Sequence, residues 1–148
     1  MNPRTLERSA VLPATPDAVW AVVGDFGALA DWQPHVPPST PEDGGDPAAP
    51  GTVRVFAVDG VAVARERLFD RDEQARSYRY TLLDPVMLPV HDYVATLAVR
   101  PHPDGAEVTW SAAYRSADDV VARVEAVFGD GTYAPGLAAL RARFTSSR

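Results

Sequence analysis

The sequence contains no cysteine. Disulfides, thiolate nucleophiles and cysteine-ligated zinc are therefore all excluded. Lysine is absent too, and all 14 basic residues are arginine. With no lysine amine to form a Schiff base, imine-based aldol or decarboxylation chemistry is excluded. The three histidines, His35, His91 and His102, show no spacing of the His-x-x-x-His kind, so no metal is expected. Gly129-Asp130-Gly131 lacks the strand-loop-helix setting of a dinucleotide site, and Ser111 has no evident His-Asp partner. No cofactor is expected. No apolar run approaches the roughly 20 residues that span a bilayer. Met1-Asn2-Pro3-Arg4 is not followed by an apolar signal segment. The expectation is a cytoplasmic protein without a membrane partner. A net charge of −6 repels phosphate backbones, which argues against a nucleic-acid partner.

What is present fits one globular domain over residues 1–148. The length allows a sizeable core, and 46% hydrophobic with 23% charged residues is ordinary composition. Residues 4–12 alternate partially and read as a first strand. Thr15-Pro16-Asp17 starts a helix, with Thr15 as N-cap and Pro16 in the first turn. Val19, Trp20, Val22 and Val23 give it an apolar stripe, Gly24-Asp25-Phe26-Gly27 ends it, and a second short helix runs through Leu29 to Trp32. Residues 34–51 are rich in proline and glycine and read as a loop with at most a short edge strand. Strands follow at 52–58 and 61–69, around the hairpin signal Asp59-Gly60. Further strands are expected at 75–83, and at 91–100 and 106–115 around His102-Pro103-Asp104-Gly105.

The last segment, 118–144, carries Val120, Val124, Val127, Phe128, Leu137, Leu140 and Phe144 at helical spacing, with Ser116 or Asp118 available as a cap. Gly129, Gly131, Pro135 and Gly136 interrupt it, and a kink is expected there. The kink either follows the curvature of the sheet or leaves room for a ligand. A sheet with one amphipathic helix must bury one face against it. If the sheet curls around the helix, space opens between them. The fold expected is α+β: a curved antiparallel sheet wrapped around a long C-terminal helix, with two short helices after the first strand and an enclosed cavity.

Several segments, in order, carry a resemblance. They are Ala18-Val19-Trp20, Asp25-Phe26-Gly27-Ala28-Leu29 and Trp32, then Gly51-Thr52-Val53-Arg54, Asp59-Gly60 and Glu66-Arg67-Leu68. After these come residues 88–96 (Leu-Pro-Val-His-Asp-Tyr-Val-Ala-Thr), Val108-Thr109-Trp110 and Tyr133 with residues 136–140. The set resembles the START-like, or SRPBCC, helix-grip superfamily of polyketide cyclase/dehydrase and lipid-transport type. It looks closest to bacterial relatives of the plant abscisic acid receptors. The plant receptors place a lysine in the cavity to pair the hormone carboxylate. The aligned stretch here, Gln33-Pro34-His35-Val36-Pro37-Pro38, has none. The superfamily also holds enzymes, carriers and receptors, so fold alone does not assign chemistry.

If Glu66 faces the cavity, as the resemblance implies for Glu-Arg-Leu, strand alternation sorts its neighbours. Ala64 and Leu68 share its face, and Arg65 and Arg67 point outward. Phe56, Val58, Tyr78, Tyr80, Leu82, His91, Tyr93, Ala95, Trp110, Ala112 and Tyr114 are expected inward. Glu66 is the sharpest catalytic candidate: a carboxylate among aromatics can act as general acid or base. Its alternative role is an ion pair with Arg54 across the hairpin. His91 and Tyr80 are the other catalytic candidates, one for proton transfer and one as a donor to a carbonyl or enolate. Trp32, His35, Arg54, Phe56, Tyr78, Tyr93, Trp110, Tyr114, Phe128 and Tyr133 are expected to contact ligand.

Three functions remain open from sequence. One is a cofactor-independent cyclase, dehydratase or isomerase acting on a hydrophobic carbonyl compound of polyketide-like or aromatic type. Another is a carrier or sensor of a hydrophobic metabolite, gated by segments 34–51 and 84–90. The third is an interaction module, which needs a large exposed apolar patch. The partner expected is a small hydrophobic organic molecule, and the assembly a monomer or homodimer.

Overall fold

The computed structural model describes residues 1–145. Strand β1 (Asn2–Leu12) leads to helix α1 (Pro16–Val23) and a 3₁₀ turn (Phe26–Asp31). Thr15 caps α1 by accepting from Ala18 N at 3.1 Å, and Asp25 caps the 3₁₀ turn by accepting from Gly27 N at 3.1 Å. Six further strands follow: β2 (Ser39–Pro41), β3 (Val53–Val58), β4 (Val61–Asp72), β5 (Ser77–Leu83), β6 (His91–His102) and β7 (Gly105–Ser116). They form one antiparallel sheet in the order β1-β7-β6-β5-β4-β3-β2. The proline-rich segment contributes only the three-residue edge strand β2, where lost N–H donors are tolerated.

Asp59 and Gly60 both take positive φ, 52° and 79°, which is the tight hairpin turn that Asp-Gly favours. Gly105, at φ 137°, closes the β6–β7 turn against the start of the helical region. A Cβ there would lie 2.2 Å from the Leu12 carbonyl oxygen, so only glycine fits.

The C-terminal helix covers residues 118–145. It begins as a 3₁₀ turn (Asp118–Val120) and a short α turn (Val121–Val124), and ends as an α-helix (Ala134–Thr145). Neither Ser116 nor Asp118 caps it, contrary to expectation: Ser116 Oγ donates to Ala117 O at 3.0 Å, and Asp118 is drawn to Arg4 across the gap to β1. Where the kink is expected, the helix runs through a π-helical stretch, Glu125–Tyr133. Pro135 has no N–H, and its ring would press on the carbonyl four residues back in an α-helix. A wider turn relieves that pressure, and Ala134 N donates to Gly129 O.

Gly129 and Gly136 make room for protein rather than ligand. A Cβ on Gly129 would lie 2.4 Å from Arg8 Nη2, and one on Gly136 would lie 3.0 Å from Gln33 Nε2. Arg8 reaches over from β1 to Glu125 and Asp130, each at 3.0 Å. The core lies between the helix and the concave face of the sheet, with Leu6, Leu68, Leu97, Val108, Trp110, Val124, Leu137 and Leu140 all buried.

Candidate functional site

Between the sheet, the helix and two loops lies a cavity of about 360 Å³. That is within the size range of small-ligand pockets. Its floor is aromatic: Phe56 from β3, Tyr80 from β5, Tyr93 from β6 and Trp110 from β7. Phe128, Thr132 and Tyr133 come from the helix. The π turn makes this grouping possible. With about 3.6 residues per α turn, residues five apart are rotated by about 140°. A π turn closes from i to i+5, so Phe128 and Tyr133 share one face. The mouth is formed by His35, Val36 and Pro37 from one loop and Pro85, Val86 and Met87 from the other. A broader depression outside the sheet, of about 520 Å³, is walled by charged groups such as Asp70, Arg71 and Glu73 and has no comparable apolar lining.

Glu66 is the carboxylate on the cavity wall. The register pairs it with Arg54 across β3–β4. Arg54 places Nε at 2.9 Å and Nη2 at 2.7 Å from the same oxygen, Glu66 Oε1. Its Nη1 donates to Phe26 O at 2.8 Å, and the guanidinium lies over the Phe26 ring at 3.9 Å and near Tyr80 at 4.8 Å. Burial works against that charge, but Glu66 and the nearby phenols outweigh it and hold Arg54 protonated. Glu66 Oε2 has no protein hydrogen-bond partner among the described residues. The ion pair foreseen across the hairpin and the cavity-facing carboxylate are thus one arrangement.

The phenols are donors. Trp110 Nε1 donates to the Tyr80 hydroxyl at 3.0 Å, which leaves the Tyr80 proton for another acceptor. Tyr93 and Tyr133 share a short hydroxyl–hydroxyl hydrogen bond, and Tyr133 stacks on Trp110 with ring centres 4.4 Å apart and planes at 11°. Burial, reinforced by the Glu66 charge, pushes the Tyr80, Tyr93 and Tyr133 phenols above their ordinary values. All three therefore carry their protons at neutral pH.

Of the sequence candidates, Glu66, Tyr80, His35, Phe56, Tyr93, Trp110, Phe128 and Tyr133 line the cavity. The others lie elsewhere. His91 is exposed, because an extra residue in β6 shifts the register between His91 and Val94 and Asp92 takes φ 54°, which breaks the alternation. Val58 lies at the tip of the β3–β4 hairpin, where it is 51% exposed beyond the reach of the cavity. Arg54 and Tyr78 are buried behind the wall, Tyr78 edge-on to Phe26. Trp32 packs on Trp110 with centroids 5.6 Å apart, outside the lining. Tyr114 is buried beside Tyr93 and borders a surface groove with Pro3 and Arg4 instead.

Sequence reasoning missed two residues that shape the mouth. Gln33, fully buried, donates to Thr132 O at 2.5 Å and accepts from His35 N at 2.7 Å, so it fastens the proline-rich loop to the π turn. Arg65 gives Nε and Nη2 to Glu42 at 2.6 and 2.9 Å and Nη1 to Asp84 O at 3.1 Å. It therefore bridges the two mouth loops. An outward arginine on a strand carries no local sign of such a link, since both partners are distant in sequence.

The profile of the family described as polyketide cyclase / dehydrase and lipid transport matches residues 3–145. The chain belongs to this family. Among solved structures, one from Thermobifida fusca is 39% identical, with a TM-score of 0.87 over 95% of this chain and 92% of that one. A protein from Nitrosospira multiformis is 25% identical, with a TM-score of 0.79 over 97% of each chain. Norcoclaurine synthase from Thalictrum flavum, in complex with dopamine and hydroxybenzaldehyde, shares the fold at 19% identity, with a TM-score of 0.74 over 99% of this chain and 89% of that one. No curated protein matches the chain. Among the described residues, no helix is long and apolar enough to cross a membrane, and no group of three or more His, Asp and Glu residues converges as metal ligands would.

Proposed function

We propose that residues 1–148 act as one ligand-binding unit that takes a small hydrophobic carbonyl compound into the cavity and turns it over by acid–base catalysis. The observation that carries this is the free Glu66 Oε2 oxygen on an otherwise apolar wall that also holds proton-bearing phenols. In this scheme Glu66 removes a proton α to the carbonyl. The enolate oxygen accepts from the Tyr80 hydroxyl, which Trp110 already orients. The enolate carbon then attacks a second carbonyl of the same molecule, held close by the walls. Glu66 returns its proton to the new alkoxide, giving a cyclic hydroxy ketone, and this hydroxyl with a neighbouring hydrogen is then free to leave as water. The product has the mass of the substrate, or that mass less one water.

The kinship to bacterial relatives of the plant abscisic acid receptors belongs to this proposal, and the loops at the mouth are consistent with it. Hormone sensing is not proposed, because no lysine is available for a carboxylate. A second reading, a carrier or sensor, draws support from the Arg54–Glu66 pair, which gives Glu66 a structural task of its own.

The test is mass spectrometry of phenolic, poly-keto and enone compounds incubated with substoichiometric protein and with Glu66→Gln. Conversion beyond one equivalent that disappears in the variant supports the enzyme. Compounds retained but recovered unchanged support the carrier, and turnover that survives in Glu66→Gln overturns the mechanism.

A further inference from the structure

The charges around the cavity are already matched. Arg54 gives Nε to Glu66 and Nη1 to Phe26 O, and its Nη2 lies 2.7 Å from the same carboxylate oxygen as an ion-pair contact without a hydrogen bond. At the rim, Arg65 spends Nε and Nη2 on Glu42 and Nη1 on Asp84 O. There is no lysine, and the remaining basic group on the lining is His35, exposed at the mouth. An anion entering the cavity would meet no unengaged arginine and would approach the Glu66 carboxylate. A cation would add an unmatched charge to a neutral pair. Burying either without a partner is unfavourable.

What the wall does offer is one unfilled acceptor, Glu66 Oε2, and phenolic donors. Resting on the reading of this cavity as the ligand site, we infer that its ligand is electrically neutral and bears a hydroxyl, phenolic or enolic, that donates to Glu66 Oε2. A ligand carbonyl or ring faces Tyr80 and the Tyr93–Tyr133 pair. Carboxylate-bearing compounds are refused. The discrimination is strong because a ligand that fills the cavity without that hydroxyl displaces water from Glu66 Oε2 and leaves this acceptor unpaired.

The experiment uses the full chain at neutral pH and four probes on one skeleton: naphthol, methoxynaphthalene, naphthoate and naphthylmethylammonium. Affinity is read from amide shifts of cavity residues in heteronuclear NMR. Naphthol should bind tightest, with methoxynaphthalene about tenfold weaker and naphthoate about a hundredfold weaker, a factor of ten being about 1.4 kcal/mol. In Glu66→Gln, with Arg54 deprived of its anion, naphthoate should gain about tenfold or more while naphthol loses. If that variant does not fold, the ranking in the unaltered protein decides the question. Naphthoate or the ammonium probe binding at the cavity as tightly as naphthol overturns this inference and leaves the cavity reading intact. No cavity shift with any of the four overturns both.

Discussion

Arg54, 2% exposed, donates from Nε to one oxygen of Glu66, keeps Nη2 in ion-pair contact with that oxygen, and leaves the other oxygen to the cavity. This single contact joins the stability of the β3–β4 hairpin to the chemistry of the pocket. Removing one member of a buried pair leaves the other uncompensated, at a cost of about 3–5 kcal/mol. Because Glu66 borders the cavity and can regain some hydration, Arg54→Met should sit near the lower end. Arg54→Met/Glu66→Gln should recover part of the loss. Urea denaturation checks both, and a single variant as stable as the parent would show that the pair contributes nothing to the fold.

Tyr80→Phe should do more than remove a ligand contact. Trp110 Nε1 would be buried without an acceptor, a loss of about 1–3 kcal/mol. Tyr133→Phe should be milder, because it keeps the stack on Trp110 and removes only the bond to Tyr93. Equal destabilisation of the two variants would contradict this ordering.

Arg65→Ala should loosen the mouth without unfolding the protein. Its partners Glu42 and Asp84 lie on different loops, and exposed ion pairs contribute little to global stability. Hydrogen exchange should quicken in residues 34–51 and 84–90, with the melting temperature nearly unchanged and ligand dissociation faster. Unaltered exchange in both loops would mean that Arg65 does not couple them.

All five tyrosines, Tyr78, Tyr80, Tyr93, Tyr114 and Tyr133, are held above the ordinary phenol value, chiefly by burial. The folded state thus keeps phenolic protons that the unfolded chain releases near about pH 10. That contribution is complete below this pH and is lost as pH rises, because the unfolded state then binds fewer protons. Phenolate absorbance should therefore show no native titration near pH 10 and should appear together with alkaline unfolding. A tyrosine ionising at its ordinary value in the folded protein would refute the packing of that ring.

The acid side has the opposite sign. Asp70 is lowered first by its hydrogen bonds from Arg79, Glu73 first by Trp20 and then Arg71, and Asp118 first by Arg4. Stability from these groups is present above the unfolded carboxylate value near about pH 4 and is lost as pH falls through the lower folded values. Melting temperature should fall below that point, and Asp70→Asn should flatten the fall. A profile unchanged by Asp70→Asn would remove Asp70 from the account.

Local chemistry in the sequence determined the element order, the Thr15 cap, the Asp59-Gly60 turn, the marginal β2 and the family. Each depends on a few neighbouring residues, so spacing reveals it. Alternation along unbroken strands likewise placed Glu66, Tyr80, Tyr93 and Trp110 on one face. Alternation failed at His91, where β6 gains a residue that no composition signal marks, and at Val58, which the hairpin tip exposes. Only the tertiary structure decided that the helix widens into a π turn, that Arg54 lies behind Glu66 rather than on the cavity wall, and that Gln33 and Arg65 hold the mouth. Those features arise from contacts between segments far apart in the chain. There the identity of a residue says what it can bond to, and packing alone says what it meets.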